Sequence, residues 1–211
     1  MSAYILIIGL LSQLCYAARQ LVQWVMAERL KRLVSPTGYW AFSLAGCCFM
    51  LWYGWLRQDI VILIGQILSF YVYVLNLTYK GAWARIPKVL QWVLYLVPVA
   101  ALVGTVWRAP ELANRFIHNP RIPLWLMIYG TAAQLTFLSR YAYQVVTSVK
   151  RHESVLPPTF WAISIVGASL ILAYGIIRLD PILMLGQSVA IFIFARNLYI
   201  GIHYTKHQKS L

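Results

Sequence analysis

Along the chain, long runs of apolar side chains alternate with short polar breaks. Seven runs carry almost no charge: roughly 3–27, 38–56, 60–79, 88–107, 122–148, 159–177 and 181–203. A helix rises 1.5 Å per residue, so about 20 apolar residues match the ~30 Å hydrocarbon core of a bilayer. The pattern predicts an all-α membrane protein with seven transmembrane helices and leaves little chain for a soluble domain. The first run lacks the positive start of a signal peptide, since nothing before Arg19 is charged, and it reads as a retained helix.

The polar residues that interrupt these runs recur at a fixed distance. "YGWLRQDIVILIGQ" at 53–66 is answered by "YGIIRLDPILMLGQ" at 174–187, an offset of 121 residues. Between Pro36 and Leu77, 14 of 42 positions are identical to those 121 residues later, without a gap. They include Trp40/Trp161, Ser43/Ser164, Gly46/Gly167, Gln66/Gln187 and Asn76/Asn197. Upstream, Gly9, Gln13, Arg19 and Gln23 match Gly130, Gln134, Arg140 and Gln144. The chain is therefore an internal duplication of a three-helix unit. The organisation read from it is 1–81 for the first repeat, 82–121 for a linker holding helix 4, and 122–211 for the second repeat. One extra crossing between two three-helix units makes the units parallel, which gives a 3+1+3 arrangement. Sites in repeat-built transporters lie near the repeat interface.

Composition supports a membrane and redirects the charge. The chain is 61% hydrophobic and 11% charged, against roughly 25% charged in soluble domains. A net charge of +13 would invite nucleic acid, but its distribution points elsewhere. With alternating spans, the loops after spans 1, 3 and 5 and the C-terminus hold ten Lys and Arg, including every lysine; the other side holds five Arg. That asymmetry places the N-terminus outside and the C-terminus in the cytoplasm, and suits anionic membrane lipids. No nucleic-acid partner is expected. Cys15, Cys47 and Cys48 lie inside predicted spans, and the four histidines are scattered. No metal or cofactor site is expected, and no phosphate loop, nucleophile elbow or zinc-protease motif appears.

The informative residues are polar ones within the spans. At 100° per residue, Gly9, Ser12, Gln13, Tyr16, Arg19, Gln20 and Gln23 share one helix face, and Gly130, Ala133, Gln134, Phe137, Arg140, Tyr141 and Gln144 repeat it. An arginine deep in a span costs about 2.5–3.5 kcal/mol and normally faces a cavity or partner. No Asp or Glu falls inside the seven runs, so a ligand phosphate or carboxylate would fit Arg19 and Arg140, held bidentately. The competing reading is snorkelling, since Arg19 is roughly 7–12 Å from the cytoplasmic boundary at 1.5 Å per residue. Gln13, Gln134, Gln23, Gln144, Gln66, Gln187, Asn76 and Asn197 either line a polar cavity or join helices by hydrogen bonds. Ser43, Gly46, Ser164 and Gly167 predict close helix packing. Pro36, Pro157 and Pro158 suit helix starts; Trp40 and Trp161, close by, read as interfacial anchors. Asp59 and Asp180 read as helix caps, with Arg57 and Arg178 near enough to pair with them.

Three stretches together carry a family resemblance: "RQLVQWVMAERLKRLVSPTGYWAFSLAG", "YGWLRQDIVILIGQ" and "FWAISIVGASLILAYGIIRLDPILMLGQSVAIFIFARNLYIGI". They resemble the small domain named after the N-terminal region of some lipid-A-disaccharide synthases. That domain is similar to the three-helix unit of the PQ-loop, SemiSWEET and SWEET superfamily. The resemblance implies a SWEET-like fold and points to lipid A and envelope glycolipid pathways of a bacterial inner (plasma) membrane. One motif departs: Leu75 stands where repeat two has Arg196, so the halves are not equivalent there.

The reading that results is a transporter or flippase for an anionic lipid-linked sugar, such as a polyprenyl-phosphate sugar. Arg19 and Arg140 would neutralise the phosphate; the glutamines, the asparagines and Arg196 would surround the headgroup. A small-solute sugar facilitator is the second reading. The third is a non-transporting membrane module that partners a glycosyltransferase. Without an acid/base pair or nucleophile constellation, the chain is not expected to be an enzyme.

Overall fold

The computed structural model describes residues 3–57, 60–107, 110, 123–179 and 181–207. Among the described residues its main elements are seven α-helices and one 3-10 turn: α1 (Ala3–Leu30), α2 (Thr37–Arg57), α3 (Ile60–Tyr79), the turn Trp83–Arg85, α4 (Lys88–Trp107), α5 (Leu124–Arg151), α6 (Pro158–Ile177) and α7 (Pro181–His207). Asp59 and Asp180, the two expected caps, lie outside the described residues. Among the described residues, two helices are long and apolar enough to cross a membrane, Tyr4–Leu30 and Pro158–Ile177.

The helix ends follow from local chemistry. Pro157 and Pro158 open α6, where a missing N–H is not needed. Gly81 takes φ +66° after α3, and Gly81 N and Ala82 N donate to the carbonyls of Thr78 and Leu77 at 2.9 and 3.0 Å. That is a Schellman closure. The same closure ends α5, with His152 at φ 50° and His152 N and Glu153 N donating to Val149 and Ser148, both at 3.2 Å. Lys31, the repeat counterpart of His152, also has φ 50°. The two copies thus leave their first helix by the same left-handed residue.

The chain divides into two compact units, Met1–Val22 with Pro36–Asn119, and Gln23–Ser35 with Pro120–Leu211. The C-terminal end of α1 and the loop after it therefore group with the second repeat. In the first unit α3 packs against both α2 and α4. The loop before α4 is tied down by Gln91 Nε2, which donates to the carbonyls of Trp83 and Ile86 at 2.9 and 2.8 Å. In the second unit α6 packs against both α5 and α7.

Each unit is centred on the same tryptophan. Trp40 and Trp161 are completely buried, so neither is the interfacial anchor expected from its place near a span start. Trp40 meets Tyr39 edge-on at 4.7 Å and Tyr73 at 6.1 Å. Trp161 meets Phe160 edge-on at 5.1 Å and Phe194 at 5.8 Å. Tyr39/Phe160 and Tyr73/Phe194 are repeat counterparts, so the aromatic core was duplicated with the chain.

The small residues do pack closely. A Cβ on Gly46 would meet the Tyr16 ring at 2.8 Å, and one on Gly167 would meet the Phe137 Cα at 2.6 Å. A Cβ on Gly186 would meet nothing within 4 Å. Gly167→Ala is therefore expected to destabilise the protein by about 1–3 kcal/mol, because backbone cannot give way as a side chain can. Gly186→Ala is the control, and its thermal midpoint in detergent should stay within a degree or two of wild type. Equal midpoints for the two variants would refute this packing account.

Candidate functional site

In the first unit, α1 carries Arg19 inward, with the residue only 7% exposed. Its Nη1 donates to Ser43 Oγ on α2 and to Tyr73 Oη on α3, both at 3.2 Å. The guanidinium lies 4.6 Å from the Tyr16 ring centroid and 5.5 Å from that of Tyr39, within cation–π range. Tyr16 Oη in turn donates to Gln66 Oε1 at 2.7 Å. Ser43 is held by its own bond to the Tyr39 carbonyl at 2.6 Å. Arg19, Ser43, Tyr16, Gln66 and Tyr73 thus form one connected network.

The second unit repeats the frame with different chemistry. Arg140 on α5 is 3% exposed. Its Nη2 donates to Tyr141 Oη at 3.2 Å, and Nη1 reaches Ser164 Oγ at 3.5 Å. Rings enclose the guanidinium: Phe137 at 3.5 Å, Tyr141 at 4.7 Å, Phe160 at 5.5 Å and Phe194 at 5.7 Å. Among the described residues its Nε is buried without a hydrogen-bond acceptor, as Arg19 Nε is in the first unit, and so is the indole Nε1–H of Trp161. Gln187 Oε1 is buried without a donor. Among the described residues no carboxylate forms an ion pair with Arg140. A cation held this far from water, facing rings and hydroxyls, carries a desolvation cost.

The remaining expected site residues separate into three environments. Gln23, Asn76, Gln144 and Asn197 are completely buried. Gln23 Nε2 donates to Asn197 Oδ1 at 2.7 Å, and Asn197 Nδ2 to the Ile193 carbonyl at 3.0 Å. Gln144 Nε2 donates to Ser148 Oγ at 2.8 Å and the Val155 carbonyl at 3.1 Å, which fastens the α5–α6 loop. Asn76 Nδ2 donates to the Val72 carbonyl at 2.8 Å. The Gln23–Asn197 and Gln144–Val155 bonds join separate segments, as polar glue does, whereas those to Ser148 and to the Val72 and Ile193 carbonyls each stay within one helix. Gln13 is exposed and Gln134 half-buried, although their neighbours Ser12 and Ala133 are buried.

Arg196 is engaged differently. Its Nε and Nη2 donate to the two carboxylate oxygens of Glu28 at 2.5 and 3.1 Å, a forked pair. Lys31 Nζ and Trp24 Nε1 add bonds to the same carboxylate, each at 3.3 Å. Glu28 was absent from the residues expected from sequence. Its signal was there: the repeat counterparts of Glu28 and Arg196 are Val149 and Leu75, so each charge departs from the repeat and each answers the other. A double-mutant cycle of Glu28→Gln and Arg196→Gln is expected to give a coupling of about 1 kcal/mol, since the pair is partly exposed. Additive single effects would show that the pair contributes no stability.

The Lipid A Biosynthesis N-terminal domain matches residues 8–78 and again 129–199, two segments separated by the repeat offset of 121 residues. The chain is 27% identical over 203 residues to lipid-A-disaccharide synthase of Chlamydia abortus, covering 92% of this chain and 32% of that protein. The synthase of Chlamydia felis is 24% identical over 208 residues, with 92% and 32% covered. That of Chlamydia pneumoniae is 22% identical over 210 residues, with 96% and 34% covered. This chain thus spans about a third of the length of the curated relatives it matches. No solved structure matches it significantly. With both repeats matched and two thirds of its residues covered, the chain belongs to the family of the Lipid A Biosynthesis N-terminal domain, which it carries twice.

Proposed function

We propose that this protein is a seven-span, 3+1+3 module of the bacterial inner membrane that binds an anionic lipid-linked sugar and moves its headgroup between leaflets. The observation that carries the reading is Arg140, buried to 3% exposure among four rings with Nε lacking an acceptor. A buried guanidinium matches a phosphate oxygen in charge and in its forked donor geometry. A surface of exposed apolar side chains supplies the lipid contact the reading needs. Along α4 it includes Val89, Trp92, Leu96, Val103 and Trp107. The lipid A link of the family supplies the ligand class. With the N-terminus outside, the lysine-rich loops face the cytoplasm.

The test is reconstitution of the full chain in liposomes with a labelled polyprenyl-phosphate hexose and a leaflet-specific chemical assay. Wild type should exchange the lipid between leaflets, and the Arg19→Ala/Arg140→Ala double variant should not.

A second reading is favoured by one observation. The curated relatives are synthases three times longer than the region they share with this chain. On that reading the module presents a lipid-linked sugar to a glycosyltransferase without transporting it. Binding without exchange in the same liposomes would select it.

A further inference from the structure

The duplication lets the two halves be compared atom by atom. In the first repeat, Tyr16 Oη satisfies Gln66 Oε1 and Tyr73 Oη accepts from Arg19. The counterparts of those tyrosines are Phe137 and Phe194. Both hydroxyls are missing from the second repeat, and the groups they served are still there. Gln187 Oε1, the counterpart of Gln66 Oε1, is buried with no donor. Arg140 reaches Ser164 Oγ at 3.5 Å where Arg19 reaches Ser43 Oγ at 3.2 Å, and Tyr141, counterpart of Gln20, supplies its other oxygen. Trp161 Nε1, buried against the same Phe194 ring that faces Arg140, has no acceptor.

Buried polar groups in folded proteins are almost always paired, and exceptions mark strain, a functional role, or a bound water, ion or ligand. Among the described residues the arginine Nε lacks a hydrogen-bond partner in both copies, and so does Gln23 Oε1, but Trp161 Nε1 and Gln187 Oε1 do so where their first-repeat counterparts do not, and with Arg140 they are complementary to one kind of molecule. Arg140 Nε and Trp161 Nε1 ask for acceptors, of which one faces a positive charge. Gln187 Oε1 asks for a donor. A phosphate ester that also bears a free hydroxyl offers both.

We infer that the second repeat holds the ligand site, in which Arg140, Trp161 and Gln187 take a hydroxylated phosphate ester, whereas the first repeat, where the Tyr16 and Tyr73 hydroxyls serve Gln66 and Arg19, is its scaffold copy. This deepens the proposed function and rests on its reading of a buried arginine as an anion site. The absence of Tyr16-type and Tyr73-type hydroxyls leaves one copy open to a ligand, and their presence closes the other.

The test exchanges the hydroxyls between copies. Phe137→Tyr/Phe194→Tyr gives the second repeat the internal partners of the first. Tyr16→Phe/Tyr73→Phe does the reverse. Binding is measured on the full chain in nanodiscs, with a polyprenyl-phosphate hexose in the bilayer as one probe and a hexose 1-phosphate in solution as the other. Thermal midpoints are measured without either. The phenylalanine-to-tyrosine pair should raise the unliganded midpoint and weaken binding at least tenfold. The tyrosine-to-phenylalanine pair should lower the midpoint and leave affinity within twofold. If only the lipid-borne probe responds, the source is a lipid headgroup; a response from the soluble ester makes it a free sugar phosphate, and either pattern supports the inference. Equal weakening by both pairs, or weakening by the first-repeat pair alone, overturns it while leaving the anion reading intact. Failure of the wild type to bind either probe overturns the inference and the proposed function together.

Discussion

Replacing Arg140 by leucine is expected to lower affinity for a polyprenyl-phosphate hexose at least a hundredfold while leaving the unliganded protein as stable as wild type or more so. The two effects have opposite signs for one reason. Removing one partner of a buried charge pair costs about 3–5 kcal/mol, because the other charge is left unmatched; at 1.4 kcal/mol per factor of ten, that is roughly two to three and a half orders of magnitude in affinity. Without ligand, however, Arg140 is a buried guanidinium whose described neighbours are aromatic rings and hydroxyls. Exchanging a buried charge for a hydrophobe is often neutral or stabilising, and the surrounding Phe137, Phe160 and Phe194 suit leucine. Stability given up for binding is the usual signature of a functional site. An arginine present only to brace α5 against α6 would instead lower the midpoint when replaced. A binding assay and a melting curve on the same purified variant separate the two roles.

The second large effect concerns the aromatic core. Trp161→Ala is expected to destabilise the protein by about 3–5 kcal/mol, and Trp40→Ala by a similar amount, since each removes a fully buried ring and leaves a cavity. Trp92→Ala on α4 is the contrast: Trp92 is largely exposed, and its replacement should move the unfolding midpoint little. Chemical denaturation in one detergent measures all three. Similar small shifts for Trp40, Trp161 and Trp92 would return the first two to the role of interfacial anchors.

Trp40 and Trp161 also show where sequence stopped being informative. A tryptophan near the start of an apolar run looks the same whether it meets lipid headgroups or a neighbouring helix. The difference is made by Tyr73 and Phe194, residues 33 positions further along the chain in each repeat, which no local pattern connects to it. Arg19 and Arg140 were legible because a charge inside an apolar run is costly and this one stands in both copies. Their surroundings were only half legible. The helix face carrying Tyr16 and Phe137 could be drawn from periodicity, but the partners from α2, α3, α6 and α7 needed the packing. Glu28 was overlooked because it is the first residue past the predicted span, where an acid reads as ordinary loop chemistry. Grouping of Gln23–Ser35 with the second unit is tertiary in origin, and repeat boundaries drawn from identity alone give no hint of it. The duplication itself needed no structure: fourteen matches without a gap leave little room for coincidence.

The central claim is that buried arginine chemistry carries a phosphate-linked headgroup through this protein. Its most direct measurement is leaflet exchange of a labelled polyprenyl-phosphate hexose in liposomes holding wild type, Arg19→Leu, Arg140→Leu or the double variant. The account predicts rapid exchange by wild type, none above protein-free liposomes for Arg140→Leu and for the double variant, and near-normal exchange for any Arg19→Leu protein that remains folded. Exchange by Arg140→Leu at the wild-type rate would contradict it.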